Sequence, residues 1–205
     1  MIKTVIFDYD GVIKKSQGLS LDIADLCKIS VEEYEKFILQ LKPIIDKFDK
    51  SLMDEEKFWM EFFNAIGKKV PENCGERAKK MYKDKFVLFP KVIELIEKLK
   101  NQGFRLSILS NMFPYQVKII KELNGCSLFD DVFFSCERGL KKPDLKFYEL
   151  AIKEMNVRPE ECLFIDDKEE NLLPAEKLGM KTVLAKEPEQ IVKDVWAIIK
   201  SENKI

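Results

Sequence analysis

Acidic and polar side chains follow several of the short apolar segments of this sequence, at spacings that could form one site. They are Asp8 and Asp10, Ser110 and Asn111, Lys142, and Asp166 and Asp167. Carboxylates that gather at one place repel each other unless a cation neutralises them. Hard oxygen ligands favour Mg²⁺, which binds carboxylates, water and substrate phosphates. The pattern therefore predicts a Mg²⁺ site beside a phosphate, with Lys142 as a positive charge for the same phosphate.

The sequence contains no histidine among its 205 residues. This excludes a Ser-His-Asp or Cys-His relay, a histidine-rich zinc site and an H-E-x-x-H metalloprotease. Acid–base chemistry must then use carboxylates, lysine, tyrosine or cysteine. The best available nucleophile is a carboxylate, which would form an aspartyl-phosphate.

The elements that position these residues are short apolar strands separated by amphipathic helices. Strands are predicted at residues 3–7, 104–109, 132–134, 162–165 and 182–184. Such alternation is typical of an α/β protein whose parallel sheet is covered by helices on both faces. Ligands of open parallel sheets bind at the carboxyl ends of the strands. The polar residues are therefore expected to converge on one edge of the sheet.

Between the first two predicted strands the pattern is helical. A capping box at Ser30 to Glu33 predicts the start of one amphipathic helix. A second helix from about Met53 carries an aromatic face and ends at Gly67, and Pro71 is expected to start a third. Nothing in this segment has a catalytic spacing, so its aromatic residues are interpreted as helix packing.

Composition restricts the partners and the compartment. A formal net charge of −1 gives no electrostatic basis for binding nucleic acid or an anionic membrane. The five cysteines include no C-x-x-C pair, which predicts free thiols in a reducing compartment. No apolar run approaches the roughly 20 residues of a membrane span, and no signal segment is recognised. The expected location is the cytoplasm.

Four segments resemble the motifs of the haloacid dehalogenase superfamily, in that family's order. The first is Asp8-Tyr9-Asp10-Gly11 with its flanking residues, and the second is Leu109-Ser110-Asn111. The third is Lys142-Pro143-Asp144, and the fourth is Asp166-Asp167 with Asn171 and the segment to Gly179. Each segment alone would be equally typical of a turn, a helix cap or solvated charge. Their joint occurrence is the basis of the resemblance.

The resemblance implies a role for each aspartate. Asp8 would be the nucleophile that attacks phosphorus. Asp10 would protonate the leaving alcohol and later accept a proton from water. Asp8, the backbone carbonyl of Asp10 and Asp167 would hold Mg²⁺, with Asp166 as an auxiliary metal ligand. The acid at Asp10 indicates phosphoryl transfer, because carbon–halogen cleavage needs no proton on the leaving group.

The resemblance also implies a phosphate-binding set and a domain division. Ser110, Asn111 and Lys142 would bind the phosphoryl group. Residues 1–13 and 87–205 would form a Rossmann-like catalytic core, and residues 14–86 a helical cap. The adjacent Lys141 is expected to be a solvated neighbour, because the family lysine directly precedes the proline.

The function that this resemblance implies is Mg²⁺-dependent hydrolysis of a small phosphorylated metabolite. Two alternatives stay open, a sugar phosphomutase using the same intermediate and a non-catalytic binding or regulatory module. Lys14, Lys15 and Arg77 are candidates for contact with the leaving group, although solvated surface charge is the more typical role for each.

Overall fold

The computed structural model describes residues 1–16 and 19–203, and these form one five-stranded parallel sheet. Its strands are β1 (Thr4–Phe7), β2 (Arg105–Ser110), β3 (Asp131–Phe134), β4 (Cys162–Asp166) and β5 (Lys181–Leu184). Their spatial order is β3-β2-β1-β4-β5. Strand β1 is therefore central, with β2 and β3 on one side of it and β4 and β5 on the other. In the centre, Val5 lies opposite Leu106 on one side and Leu163 on the other. The predicted α/β fold with a parallel sheet is confirmed.

Helices cover both faces of the sheet. They are α1 (Leu19–Cys27), α2 (Val31–Asp49), α3 (Glu55–Ala65), α4 (Cys74–Asp84), α5 (Pro90–Asn101), α6 (Pro114–Glu122), α7 (Ser135–Arg138), α8 (Leu145–Met155), α9 (Glu169–Leu178) and α10 (Pro188–Asn203). Successive residues of β1 point to opposite faces. Val5 and Phe7 belong to the apolar cluster that contains residues of α5, α6 and α10, whereas Ile6 belongs to the cluster formed with α8 and α9. The strands are therefore buried on both sides, which explains their continuous apolar character.

Helices α1 to α4, here called the helical insertion, lie between β1 and α5 in the chain. The aromatic residues of α2 and α3 pack together, with the rings of Phe48 and Phe58 stacked at 4.1 Å between centroids. Phe113, which follows β2, contacts both rings at 4.9 and 5.4 Å. The interpretation of the aromatic face as helix packing is therefore correct, and the same rings attach the insertion to the edge of the sheet.

Two backbone hydrogen bonds join the chain segments that enter and leave the insertion. The amide of Lys15 donates to the carbonyl of Val87 at 2.8 Å, and the amide of Phe89 donates to the carbonyl of Ile13 at 2.9 Å. These pairs lie beside the predicted boundaries of the cap. The division into a core and a cap of residues 14–86 stays a prediction, and residues 17, 18, 204 and 205 lie outside the described residues.

The insertion differs from the predicted helices in two places. Helix α1 was not predicted, and α4 begins at Cys74 instead of the predicted Pro71. Asn73, which precedes α4, has a left-handed backbone with φ of 54°, so the chain turns after the proline before the helix starts. The five cysteines are free, as predicted. Within the described ranges no helix combines the length and the apolar character needed to cross a membrane.

Candidate active site

The polar residues singled out in the sequence converge at the carboxyl ends of the central strands. Asp8 and Asp10 follow β1, Ser110 is the last residue of β2, and Asp166 is the last residue of β4. Because β1 lies between β2 and β4, these three strand ends are neighbours. The loop that carries Lys142 reaches the same edge, where its ammonium group contacts Asp8. This edge is the switch point at which open parallel sheets bind ligands.

Asp8 is nearly buried and is fixed by one of its two carboxylate oxygens. Its Oδ1 accepts hydrogen bonds from the Ser110 hydroxyl at 2.6 Å and from the Tyr9 amide at 2.8 Å. The Lys142 ammonium group lies 2.9 Å from the same oxygen. Within the described part of the chain, Oδ2 accepts no hydrogen bond. That oxygen is therefore the atom available to an incoming electrophile or cation.

Lys142 is a buried lysine with only 1% of its surface exposed. Its ammonium group contacts Asp166 at 2.5 Å as well as Asp8. Burial alone would lower the pKa of Lys142, but the attraction of Asp166 and Asp8 outweighs this effect and raises the pKa. The Asn111 side chain accepts a hydrogen bond from the Lys142 amide and donates one to the Lys142 carbonyl, each at 2.8 Å. Lys142 thus holds a fixed positive charge beside Asp8.

Asp166 and Asp167 have different surroundings. Both oxygens of the fully buried Asp166 are engaged, Oδ2 by Lys142 and Oδ1 by the Asn171 side chain and the Lys168 amide, each at 2.9 Å. Asp167 is solvent-exposed, and no hydrogen bond to its carboxylate occurs within the described residues. The partial burial of this carboxyl and the negative charges of Asp8 and Asp166 raise the pKa of Asp167 to about 6. Asp166 therefore orients Lys142, whereas both oxygens of Asp167 are free of hydrogen bonds from the described residues.

The residues present fit a divalent cation. One oxygen from each of Asp8, Asp166 and Asp167 lies within 4.8 Å of the others. Three carboxylates face one lysine, so a cation would relieve their mutual repulsion. An all-oxygen donor set with no histidine or thiolate favours Mg²⁺. The Asp10 carboxylate does not belong to this cluster.

Asp10 instead faces the helical insertion. Its Oδ1 accepts a hydrogen bond from the Tyr82 hydroxyl of α4 at 3.2 Å, and the Lys14 ammonium group lies 3.2 Å from the same oxygen. Burial raises the pKa of Asp10 to about 6, although the charge of Lys14 acts in the opposite direction. A carboxyl with a raised pKa is suited to proton transfer near neutral pH.

Two basic residues differ from the solvated role that was expected for them. Lys14 is buried against Asp10 and Tyr82, and Lys141 is held by two aspartates of α2. Arg77 stays partly exposed, donates to the Leu26 carbonyl at 3.4 Å and does not line the cavity over the site. The local sequence could not show these contacts, because each pairs residues from distant segments or depends on burial by another element.

Lys141 joins the core to the helical insertion. Its ammonium group lies 2.7 Å from Asp46 and also contacts Asp49, which is buried. Burial raises the pKa of Asp49, and the charge of Lys141 opposes that effect. The sequence carries a signal for the burial of Asp49 but not for its partner: Asp49 continues the apolar stripe of Leu41 and Ile45 at a spacing of four residues. An acid at a core position of a helix requires a partner.

We expect Lys141→Met to lower the free energy of unfolding by about 2 kcal/mol, because it leaves the buried Asp49 carboxylate without its cation. Chemical denaturation of both proteins measures the change. Lys91→Met is the matched control, since Lys91 also joins distant helices through Glu189 at 2.5 Å but both side chains are exposed. That control should change stability by no more than about 0.5 kcal/mol. Equal effects of the two substitutions would contradict the interpretation.

A cavity of about 440 Å³ lies over the site. Its floor includes Asp8, Asp167 and Lys142, and its opposite wall is formed by residues of α2 such as Ile45 and Asp46. Helix α2 belongs to the insertion, so a ligand that fills the cavity also contacts that insertion. The volume is in the range of small-molecule sites.

The parallel sheet, the insertion after β1 and the acidic strand ends define a Rossmann-like α/β protein with a polar site at its switch point. The model of one family, haloacid dehalogenase-like hydrolase, matches residues 2–179. The chain belongs to the haloacid dehalogenase-like hydrolases, as the motifs predict.

Relatives of this chain include phosphatases. It is 34% identical over 91 residues to a sesquiterpene phosphatase of Aspergillus oryzae, an alignment that covers 44% of this chain and 46% of that protein. The chain therefore spans less than half of that relative. It is 26% identical over 194 residues to a glyceraldehyde 3-phosphate phosphatase of Methanocaldococcus jannaschii, covering 89% and 84% of the two chains.

The fold is also similar to that of a HAD family enzyme from Bacteroides thetaiotaomicron, solved in complex with magnesium and inorganic phosphate. The TM-score is 0.73 at 23% identity, and the match covers 91% of this chain and 96% of that one. At this level of identity the likeness supports the fold.

Proposed function

We propose that this protein is a Mg²⁺-dependent phosphomonoester hydrolase that acts on a small phosphorylated metabolite through an aspartyl-phosphate on Asp8. The observation that carries the proposal is the site floor, where Asp8 has one oxygen that accepts no hydrogen bond from the described residues, beside the buried cation of Lys142 and the exposed carboxylate of Asp167. The phosphatases among the relatives and the magnesium and phosphate in the related fold support it.

The reaction would proceed in two steps, with Asp8 as the nucleophile and Asp10 as the acid in the first step and the base in the second. An oxygen of Asp8 forms a bond to phosphorus while the bond from phosphorus to the ester oxygen breaks. Asp10 gives its proton to that departing oxygen and becomes a carboxylate. Water then transfers a proton to Asp10 as it attacks the phosphorus of the aspartyl-phosphate, which releases inorganic phosphate and restores both aspartates.

The remaining residues would bind and neutralise charge. Lys142 and Ser110 would contact the phosphoryl oxygens, and the Asn111 backbone would assist. Asp8, Asp167 and the Asp10 carbonyl would hold Mg²⁺, which supplies positive charge to the phosphoryl group. Asp166 would act on the metal only as an auxiliary, since both its oxygens already accept hydrogen bonds. The helical insertion would serve as the cap, because α2 forms the wall of the cavity opposite the floor.

A panel of phosphomonoesters tests the proposal, assayed with Mg²⁺ and again with excess EDTA. We expect release of inorganic phosphate that EDTA abolishes and added Mg²⁺ restores. Absence of turnover across the panel would favour a binding module. Interconversion of sugar phosphates with little free phosphate would instead identify a phosphomutase.

Gly11→Ala tests the position of Asp167. Gly11 has φ of +89°, and a Cβ there would lie 2.8 Å from the Asp167 carboxyl carbon. The substitution must therefore displace Asp167, and we expect it to raise the Mg²⁺ concentration for half-maximal activity by about 10–100-fold. Titration of activity with Mg²⁺ measures this change.

Gly103→Ala is the matched control for that titration. Gly103 has a similar φ of +84° but open space where a Cβ would lie. Both variants carry the cost of a left-handed alanine, roughly 1–2 kcal/mol, and only Gly11→Ala adds the contact with Asp167. The same Mg²⁺ requirement in both variants would argue against Asp167 as a metal ligand.

A further inference from the structure

The contact between Tyr82 and Asp10 joins the helical insertion to the acid that would protonate the leaving group. Tyr82 lies on α4 and is 4% exposed. Its hydroxyl donates to Asp10 Oδ1 across 72 positions of the chain. Burial raises the pKa of Tyr82 far above the usual tyrosine value, so the hydroxyl keeps its proton and remains a donor. A tyrosine at this place was not among the residues singled out in the sequence.

Lys14 completes a buried cluster around the same oxygen. Its ammonium group is 3.2 Å from Asp10 Oδ1 and lies 4.4 Å above the centre of the Tyr82 ring. A cation over an aromatic face is attracted by the ring. Lys14 therefore holds the ring of Tyr82 and the carboxyl of Asp10 at once, and the three side chains restrict each other's positions.

Two donors on Oδ1 determine which carboxyl oxygen can carry a proton. An oxygen that already accepts hydrogen bonds from a hydroxyl and an ammonium group is a poor site for the proton of the carboxylic acid. The proton of the acid form of Asp10 therefore resides on Oδ2, which accepts no hydrogen bond within the described residues. Once that proton has been transferred, Asp10 is a carboxylate, and hydrogen bonds to a charged acceptor are stronger than those to a neutral one.

We propose that Tyr82 is a positioning residue that orients the Asp10 carboxyl, so that proton transfer to the leaving group requires α4 to lie against the core. The inference rests on the proposed hydrolase function. Tyr82 belongs to the insertion and Asp10 follows β1, so a displacement of α4 breaks this bond. The segment after α4 is tied to the segment that enters the insertion, because the Lys15 amide donates to the carbonyl of Val87, only five residues beyond Tyr82. Substrate bound beneath the insertion would thus meet an acid that the insertion itself has oriented.

Tyr82→Phe removes the hydroxyl and keeps the ring that Lys14 contacts. With alkyl phosphates, whose leaving oxygen needs a proton, we expect the rate of aspartyl-phosphate formation, measured by rapid quench, to fall by about tenfold, the size of one lost hydrogen bond to a charged group. With p-nitrophenyl phosphate, whose leaving group needs little protonation, the rate of this first step should change less than twofold, which is about the precision of the comparison. The substrate concentration that gives half the maximal rate of this first step should stay near the wild-type value.

Tyr115→Phe is the matched control. The Tyr115 ring meets that of Tyr82 edge-on at 6.4 Å, and its hydroxyl makes no hydrogen bond to the described residues. The Tyr115→Phe variant should hydrolyse both substrates at the wild-type rate. In an Asp10→Asn background, Tyr82→Phe should have no further effect, because the acid on which it acts has been removed. Thermal unfolding of each variant verifies that the fold is retained.

The possible outcomes separate this inference from the hydrolase proposal. Wild-type turnover with Mg²⁺, combined with an equal loss in the rate of aspartyl-phosphate formation from both substrates or no loss in Tyr82→Phe, would overturn the positioning role alone. An additive effect in the Asp10→Asn background would do the same. If the wild-type protein releases no phosphate from any ester, the hydrolase proposal and this inference are both wrong.

Discussion

Asp8→Asn should reduce turnover by on the order of 10⁵–10⁶-fold, a loss comparable to removal of an enzymatic nucleophile. An amide oxygen is a poor nucleophile and cannot form the aspartyl-phosphate. The amide nevertheless has nearly the shape of the carboxylate, and its oxygen can still accept from Ser110 and the Tyr9 amide. The fold should therefore persist while the chemistry is lost.

The rate of steady-state phosphate release measures the loss of turnover. An acid-quench experiment with an ester labelled in its phosphoryl group tests whether the missing aspartyl-phosphate is the cause of that loss. The wild-type protein should retain label on the chain, and Asp8→Asn should retain none. Asp54→Asn is the control, because Asp54 caps α3 by accepting from the Lys57 amide and asparagine caps equally well. A nearly normal rate in Asp8→Asn would show that another group attacks phosphorus.

The sheet and the residues at its edge could be predicted because both follow from local patterns. Apolar runs such as residues 162–165 have the length and composition of strands buried on both faces. The rule that ligands bind at the carboxyl ends of parallel strands then places Asp8, Ser110 and Asp166 together without any knowledge of their contacts. The absence of histidine narrowed the chemistry further, since acid–base catalysis had to use these same aspartates or a nearby lysine.

Contacts between the insertion and the core could not be predicted in this way. Tyr82 and Asp10 are 72 positions apart, and Lys141 is 92 positions from Asp49. Their meeting depends on how four helices pack over the sheet, which depends on the whole aromatic cluster around Phe58 and Phe113. Lys14 illustrates the same point, since a lysine after a turn is usually solvated and this one lies buried against the ring of Tyr82 from α4.

These contacts engage two neighbouring lysines on different sides of the cavity. On the floor, Lys142 is paired with Asp8 and Asp166, so its charge is fixed before any phosphate arrives. On the insertion side, Lys141 is occupied by Asp46 and Asp49 of α2. Adjacent lysines in the sequence thus serve separate purposes, one in the site and one in attaching the insertion above it. Lys141 should therefore affect stability more than chemistry.

Asp10→Asn should lower the rate in proportion to the basicity of the leaving group. General acid catalysis contributes about 10²–10⁴-fold, and we expect a loss of that size for alkyl phosphates. The formation of the aspartyl-phosphate from p-nitrophenyl phosphate should be nearly unaffected, since p-nitrophenolate departs without a proton. Asparagine keeps an oxygen that can accept from Tyr82 and Lys14, so the surrounding cluster should be preserved.

The two steps must be measured separately, because Asp10 would act in both of them. Hydrolysis of the aspartyl-phosphate needs Asp10 as a base, so Asp10→Asn should slow the second step whatever the ester. A rapid-quench experiment with p-nitrophenyl phosphate should therefore show a fast burst of one equivalent of p-nitrophenolate, followed by slow turnover. With an alkyl phosphate no burst should appear, since the first step is then slow as well. A burst with both esters would assign the proton of the leaving group to a residue other than Asp10, while leaving Asp8 as the nucleophile.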